Sequence, residues 1–331
     1  MTVENGKRSF PSRRDFISLG IGAFVVGTVP FVRSRGPRLV RRTLPLMGTL
    51  AEIGVVHGDE AYAQKAMDAA FQELGRVEAL LTRYRGASEV GTANRLAFGT
   101  PQVVSQETAR VLRRSLRWAD ASQGAFDPCL AQAMGLWNVG ERKRPPASRD
   151  VRRFARRDLY RALEIGRSRG RDVVLFHEDD MGVDLGGIGK GYGVDRAVAV
   201  LREWGIQNAL VNVGGDLYAL GESEDGDPWK VGVRSPEDPG SLATALPMQD
   251  KGVATSGDYL QYFEHGGRRY HHVLDPATGE PSRSRMRSVT VAADRCMDAD
   301  AAATTAFVSS VERASRVMTR VAPEGEVVHT I

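Results

Sequence analysis

Five glycines and one lysine fall within thirteen residues, Val183-Asp-Leu-Gly-Gly-Ile-Gly-Lys-Gly-Tyr-Gly-Val-Asp195. Glycine loses more backbone entropy on folding than any other residue, so a cluster this dense reads as a turn or a place of close backbone approach. Downstream, Val194, Ala197, Val198 and Leu201 recur at helical spacing, which predicts a helix over Arg196 to Trp204. The stretch therefore reads as a strand end, a glycine turn and a helix start. Such a junction presents free backbone N–H groups and the positive end of the helix dipole. With Lys190 among the glycines it suits a phosphate or pyrophosphate. The alternative is a tight turn that packs a helix on a sheet. A Walker A loop is excluded, because Gly191 rather than Ser or Thr follows Lys190. The dinucleotide spacing of glycines fails too, at Tyr192 or at Val194.

The 331 residues allow one large domain or two. At 42% hydrophobic and 26% charged, the composition is that of a soluble globular protein with a sizeable core. The net charge of +4 is unevenly spread: twelve Arg or Lys face four acids between Glu141 and Arg171. No interleaved aromatics or nucleic-acid reader motif accompany them, so a solvated basic face or an acidic partner is the reading, and nucleic acid is not expected as a partner. Cys129 and Cys296 have neither metal nor disulfide spacing, and read as buried small side chains.

At the N-terminus, Ser12-Arg-Arg-Asp-Phe-Ile17 precedes an apolar run to Val32 broken by glycines and Pro30. That is the layout of a twin-arginine export signal, and the run is too short and glycine-rich for a spanning helix. The expected location is therefore the periplasm or the outer face of the cytoplasmic membrane, with the segment cleaved or retained as an anchor. Residues 1–40 are assigned to signal and linker, and 41–331 to the folded domain.

Within that domain, Leu44 to Val56 reads as strand with a turn or bulge at Met47-Gly-Thr49, and Glu60 to Arg83 as an amphipathic helix. Thr82 to Ser88 is a polar loop with Tyr84 between two arginines. Ser105 caps a helix over Thr108 to Ser122. A short helix is expected over Asp150 to Asp158, and a hairpin across Arg167-Ser-Arg-Gly170. Short strands follow at Ala209 to Val213, Leu217 to Ala219, Trp229 to Val233, Gly252 to Thr255, Tyr259 to Phe263, Arg268 to Leu274 and Ser288 to Ala293. Helices close the chain at Asp298 to Ser309 and Val311 to Val321. Strands and helices mix without strict alternation, which gives an α+β class.

Three groups of residues suit chemistry. Asp300 and Thr304 lie four apart on one helix face, and carboxylate plus hydroxyl suits a hard cation such as Mg²⁺; close helix packing is the alternative. His271-His-Val-Leu-Asp-Pro276 sets an imidazole near a carboxylate, either a general base or a strand-end histidine bonded to a turn. Thr255-Ser-Gly-Asp258 offers hydroxyls and a carboxylate.

Seven motifs together resemble the ApbE family of FAD:protein FMN transferases: Leu81-Thr-Arg-Tyr-Arg, Phe126-Asp-Pro, Asp184-Leu-Gly-Gly-Ile-Gly-Lys-Gly-Tyr, Val211-Asn-Val-Gly-Gly-Asp216, Val253-Ala-Thr-Ser-Gly-Asp258, His272-Val-Leu-Asp-Pro-Ala-Thr-Gly279 and Met297-Asp-Ala-Asp-Ala-Ala-Ala-Thr304. They occur in the family's order over roughly Thr43 to Val308. The resemblance implies an elaborated T-fold with mainly antiparallel sheets. It also implies Mg²⁺-dependent transfer of FMN from FAD to a Thr or Ser hydroxyl of an exported redox subunit, with AMP released. Carried over by motif, Met47, Tyr84, Phe126, Asp127, Asp184, Lys190 and Leu274 line FAD. The Gly187 carbonyl, Asp300 and Thr304 hold Mg²⁺, Lys190 neutralises phosphate charge, and His272 is the base. An FAD pyrophosphatase or a non-catalytic FAD binder keeps the same site. Gly189 and Gly193 stand where alanine is common in the family, and no lipobox cysteine is present.

Overall fold

The computed structural model describes residues 36–238 and 240–331. The export-signal reading lies outside them. Among the described residues no helix is long and apolar enough to cross a membrane.

In chain order the elements begin with β1 (Arg38–Leu46), β2 (Thr49–His57), α1 (Glu60–Leu81), α2 (Glu89–Leu96), β3 (Gln102–Val103), α3 (Gln106–Ala121), α4 (Ala131–Trp137) and α5 (Ser148–Val151). Then come β4 (Leu163–Ser168), β5 (Arg171–Phe176), α6 (Gly189–Glu203), β6 (Ala209–Val213), β7 (Asp216–Leu220), β8 (Trp229–Arg234), β9 (Leu242–Met248) and β10 (Lys251–Gly257). The last are β11 (Tyr262–His265), β12 (Arg268–His271), β13 (Leu274–Asp275), β14 (Glu280–Pro281), β15 (Ser288–Ala293), α7 (Cys296–Val308), α8 (Val311–Val321) and β16 (Glu326–Thr330).

The expected strand over Leu44 to Val56 is a hairpin. Met47 and Gly48 both have positive φ (55° and 71°), as a two-residue turn that follows the strand twist requires. Its first strand starts at Arg38, three residues before the expected start of the domain. The glycine stretch also differs from expectation. No strand precedes it, only an isolated bridge from Leu130 to Gly182. The helix starts at Gly189 rather than Arg196, so Gly189, Gly191 and Gly193 are helical. The strand expected at Tyr259 to Phe263 runs instead from Tyr262 to His265, and Arg268 to Leu274 breaks into two short strands. The helix expected at Asp150 to Asp158 is the short α5 followed by a 3₁₀ turn at Arg152–Phe154.

The main sheet has seven strands in the order β1-β2-β6-β7-β10-β15-β16, and every neighbouring pair is antiparallel. Alternate residues of a strand face opposite sides. On β2 and β6, Ile53, Val55, Ala209, Val211 and Val213 turn to one side and pack against α1 and α6. Val56 and Leu210 turn to the other and meet Trp229, Val231 and Val233 of the β8–β9 hairpin. The centre of the sheet is thus covered on both faces, which is why every residue of β6 and β7 is buried.

Helix α7 is buried nearly all round, and apart from Asp298, Asp300, Thr304 and Thr305 its residues are apolar. Two glycines let its start approach closely. A Cβ on Gly191 would lie 2.4 Å from the Cys296 carbonyl oxygen, and one on Gly252 2.4 Å from the Cys296 backbone. The first N–H groups of α7 have no local cap. Instead the Cys296 and Met297 N–H groups donate to the Asp195 carboxylate of α6, at 2.7 and 3.1 Å. The buried Asp298 accepts from Arg114 (2.7 Å) and Trp118 (3.0 Å) of α3. Together these bonds fix α7 against α6 and α3.

Helix α1 is tied to α6 by Glu73, which accepts from Arg76 (2.7 Å) and Arg196 (2.8 Å). The bond from Arg76 holds the Glu73 carboxyl down at about 2, against the opposing pull of burial, and Arg196 adds to the effect. A lowered carboxyl pKa stabilises the fold above the ordinary carboxylate range, and that stability is lost as pH falls from about 5 towards 2. Glu73→Gln is therefore expected to lower stability by about 1–2 kcal/mol at pH 7. The difference from the parent should close near pH 2, as measured by urea unfolding at both pH values.

Candidate functional site

The glycine turn, the ends of β6, β10 and β12, and one face of α7 converge on a single cleft. The turn over residues 184–188 is held by Asp184, whose carboxylate accepts the Gly186 N–H at 2.8 Å and pairs with Arg83 at 2.7 Å. The chain then enters α6, whose N-terminus opens into the cleft and whose second residue is Lys190.

Lys190 sits between two carboxylates. Its ammonium pairs with Asp216 at the start of β7 and lies 3.6 Å from Asp300 of α7. Burial alone would push its pKa down; Asp216 and Asp300 outweigh that, and the amine stays charged. The same burial, with Asp216 alongside, pushes the Asp300 carboxyl well up. Two carboxylates thus share one ammonium, leaving the group short of positive charge.

Thr304 lies one turn beyond Asp300, its hydroxyl 3.4 Å from that of Ser256. A Cβ at Gly187 would fall 3.0 Å from the Thr304 oxygen and 3.2 Å from the Phe126 ring, so this position needs glycine for space rather than for its φ. Phe126, Leu130, Met134, Leu260 and Leu274 give the cleft an apolar side. Asp127 accepts N–H bonds from Cys129 (2.8 Å) and Tyr160 (3.3 Å), while burial pushes it up to about 6.

The two adjacent histidines divide their roles. His271 is buried, shares a hydrogen bond with the Ser282 carbonyl (2.9 Å) and accepts the Val273 N–H through Nδ1, so it is structural. His272 lines the cleft, with Nδ1 3.4 Å from the Gln261 carbonyl. Burial, reinforced by neighbouring His271, pushes its imidazole down to about 4. The expected partner Asp275 is not beside it; that carboxylate accepts the Ala277 N–H of its own turn at 2.9 Å.

Of the residues singled out in the sequence, Phe126, Asp127, Asp184, Gly187, Lys190, His272, Leu274, Asp300 and Thr304 all line this cleft. Met47 and Tyr84 do not. Met47 packs its sulfur against Gly193, where a Cβ would lie 2.8 Å away, and its N–H donates to Glu78. Tyr84 is 80% exposed, with the Arg83 guanidinium 4.3 Å over its ring, so it reaches the cleft only through the Arg83–Asp184 pair. Asp258 pairs with Arg287 and Arg269 instead of facing the cleft.

Asp216 was missed as a site residue. The available signal was the acid in Gly214-Gly-Asp216, between two apolar runs, since an aspartate placed there is buried only when it has a partner.

The chain matches the ApbE family model over residues 47–328. It is 33% identical over 283 residues to a Vibrio cholerae protein named FAD:protein FMN transferase, with 82% of each chain covered. A Treponema pallidum protein of the same name is 34% identical over 288 residues, with 82% of this chain and 79% of that one covered. Among solved structures, the Vibrio cholerae flavin transferase ApbE superposes with a TM-score of 0.74 at 30% identity, covering 85% of this chain and 90% of that one. The Thermotoga maritima ApbE protein gives 0.76 at 27% identity, with 84% and 90% covered. The motifs that lie far apart in the sequence meet in one cleft of a fold shared with these proteins, and the chain belongs to the ApbE family.

Proposed function

We propose that this chain is an enzyme that moves the FMN half of FAD onto a Thr or Ser hydroxyl of a target protein, releasing AMP. The observation that carries this reading is the convergence of Lys190, Asp216, Asp300 and Thr304 beside His272 in a cleft with an apolar side. The apolar side suits a flavin ring. The ammonium and the helix N-terminus suit a pyrophosphate. In the reaction the acceptor oxygen forms a bond to the FMN phosphorus, and the bridging P–O bond to AMP breaks. AMP leaves with the bridging oxygen, and the hydroxyl proton passes to His272. Its imidazole is neutral at pH 7 and so has a ring nitrogen open to that proton, while its lowered pKa makes it a weaker base than a free histidine. Lys190 offsets charge on the phosphates, and the chain otherwise contributes positioning.

The donor set fits Mg²⁺. Asp300, the Thr304 hydroxyl and the Gly187 carbonyl would hold it, beside a carboxylate pair short of positive charge. Among the described residues no three His, Cys, Asp or Glu side chains form a cage. Mg²⁺ needs none, since it keeps waters and takes substrate phosphate oxygens. When bound it would supply positive charge to the pyrophosphate. The twin-arginine layout of residues 12–17 supports export, and hence an acceptor outside the cytoplasmic membrane, with a redox subunit as the expected class.

AMP release from FAD, followed with and without an acceptor domain, tests the reading. A transferase releases AMP in proportion to acceptor and stops when it is consumed. Release that continues without acceptor means that water is the acceptor and the enzyme is an FAD pyrophosphatase. No release in either case leaves an FAD binder. His272→Ala is expected to slow transfer by about 10²-fold or more while FAD affinity, read by flavin fluorescence, stays within about threefold.

A further inference from the structure

A second concavity, of about 550 Å³, lies on the other side of α6. Helix α3 carries Arg110, Arg113, Arg114 and Arg117, three and four residues apart and hence along one face. Arg167 of β4 and Arg295, just before α7, reach the same groove. Its floor is made by the buried Tyr192 and Met297. The groove shares no lining residue with the flavin cleft: Lys190 faces one and Tyr192 the other, two positions apart on α6.

The charge here is only partly matched. Asp172 pairs with Arg113 at 2.5 Å, and Asp298 with Arg114 at 2.7 Å. Glu107, the other acid nearby, is taken by Arg76 and by the Tyr192 hydroxyl. Among the described residues Arg110, Arg117, Arg167 and Arg295 have no carboxylate within ion-pair distance. Like charges one helical turn apart repel, and focusing them in a concavity raises the local positive potential further. The chain has six lysines in all, so the choice of arginine is not in itself informative. The informative feature is the convergence of six guanidinium groups, four without a carboxylate, on one groove of nucleotide size.

We infer that this groove is a second binding site, separate from the flavin cleft, for a multiply charged phosphate compound. Guanidinium groups converging from α3, β4 and the start of α7 can grip phosphate oxygens in pairs.

Calorimetric titration of the full chain with tripolyphosphate, in about 50 mM salt without divalent metal, tests this. One equivalent should bind, and affinity should fall as salt is raised. The double variant Arg110→Ala/Arg117→Ala should weaken binding at least about tenfold, with a thermal midpoint no lower than the parent's, because neither residue has an ion pair to lose and like-charge repulsion is relieved. Arg110→Gln/Arg117→Gln should behave the same way and guards against a packing effect of the alanines. Lys190→Ala, in the flavin cleft, should leave affinity within about twofold. ADP titrated in parallel separates the sources. Tighter binding that is still lost in the arginine variants means a nucleotide, and equal binding means that the phosphate chain alone is recognised. Absence of binding, or binding that Lys190→Ala removes and the arginine variants keep, overturns the inference.

Discussion

Asp300→Ala is expected to abolish FMN transfer, lowering the rate on the order of 10³-fold, without destabilising the metal-free protein. Asp300 is buried beside Asp216, and the two carboxylates share the Lys190 ammonium. Burial and the neighbouring carboxylate disfavour its charged form, so the fold loses little when it is removed; the Lys190–Asp216 pair and the packing of α7 remain. The thermal midpoint in EDTA should therefore be no lower than that of the parent. Mg²⁺ should raise the midpoint of the parent and leave that of the variant unchanged, since a ligand stabilises only the state it binds. A variant that keeps its rate, or a parent midpoint indifferent to Mg²⁺, would remove Asp300 from the proposed metal role.

Gly191→Ala is expected to lower the transfer rate at least about tenfold and to destabilise the fold as well. The added carbon would fall 2.4 Å from the Cys296 carbonyl oxygen and 2.7 Å from the Met297 Cα, which are backbone atoms with no rotamer to relieve the contact. Overpacking of this kind costs about 1–3 kcal/mol. Relief would come from parting α6 and α7, the helices that carry Lys190 and Asp300, so activity should fall further than stability. Gly189→Ala is the control. Its added carbon would meet only Leu185 at an ordinary 3.5 Å, and alanine favours the helix by up to about 1 kcal/mol. Midpoints and transfer rates of the two variants, measured side by side, check the contrast. Equal behaviour of both would contradict the close-approach account.

These two glycines also show where the sequence was legible and where it was not. Helices α1, α3 and α8 carry clear apolar stripes over their lengths and were readable from periodicity. The start of α6 was not, because glycine has poor helix propensity and the tertiary reason for it, the approach of α7, involves residues a hundred positions away. Helix α2 went unread because only Val90, Gly91 and Ala93 of its eight residues are buried. Strand β9 went unread because most of its residues are exposed or half-buried at the edge of a two-stranded sheet, and it contains Pro247.

Nine of the eleven expected site residues fall in one cleft because their motifs end strands or start helices that share it. Met47 lies apart from the cleft's lining, its sulfur held against Gly193. Tyr84 stands on an exposed loop beside the cleft. Asp216 needed the sheet order, which puts β7 between β6 and β10 and brings its first residue to Lys190.

The most direct test of the central claim is the intact mass of an acceptor domain after incubation with this protein, FAD and Mg²⁺, with EDTA as the control. The account predicts a mass gain of one FMN, sensitive to EDTA and lost when the acceptor hydroxyl is removed. An acceptor of unchanged mass in a mixture where FAD has been converted to free FMN and AMP would contradict it.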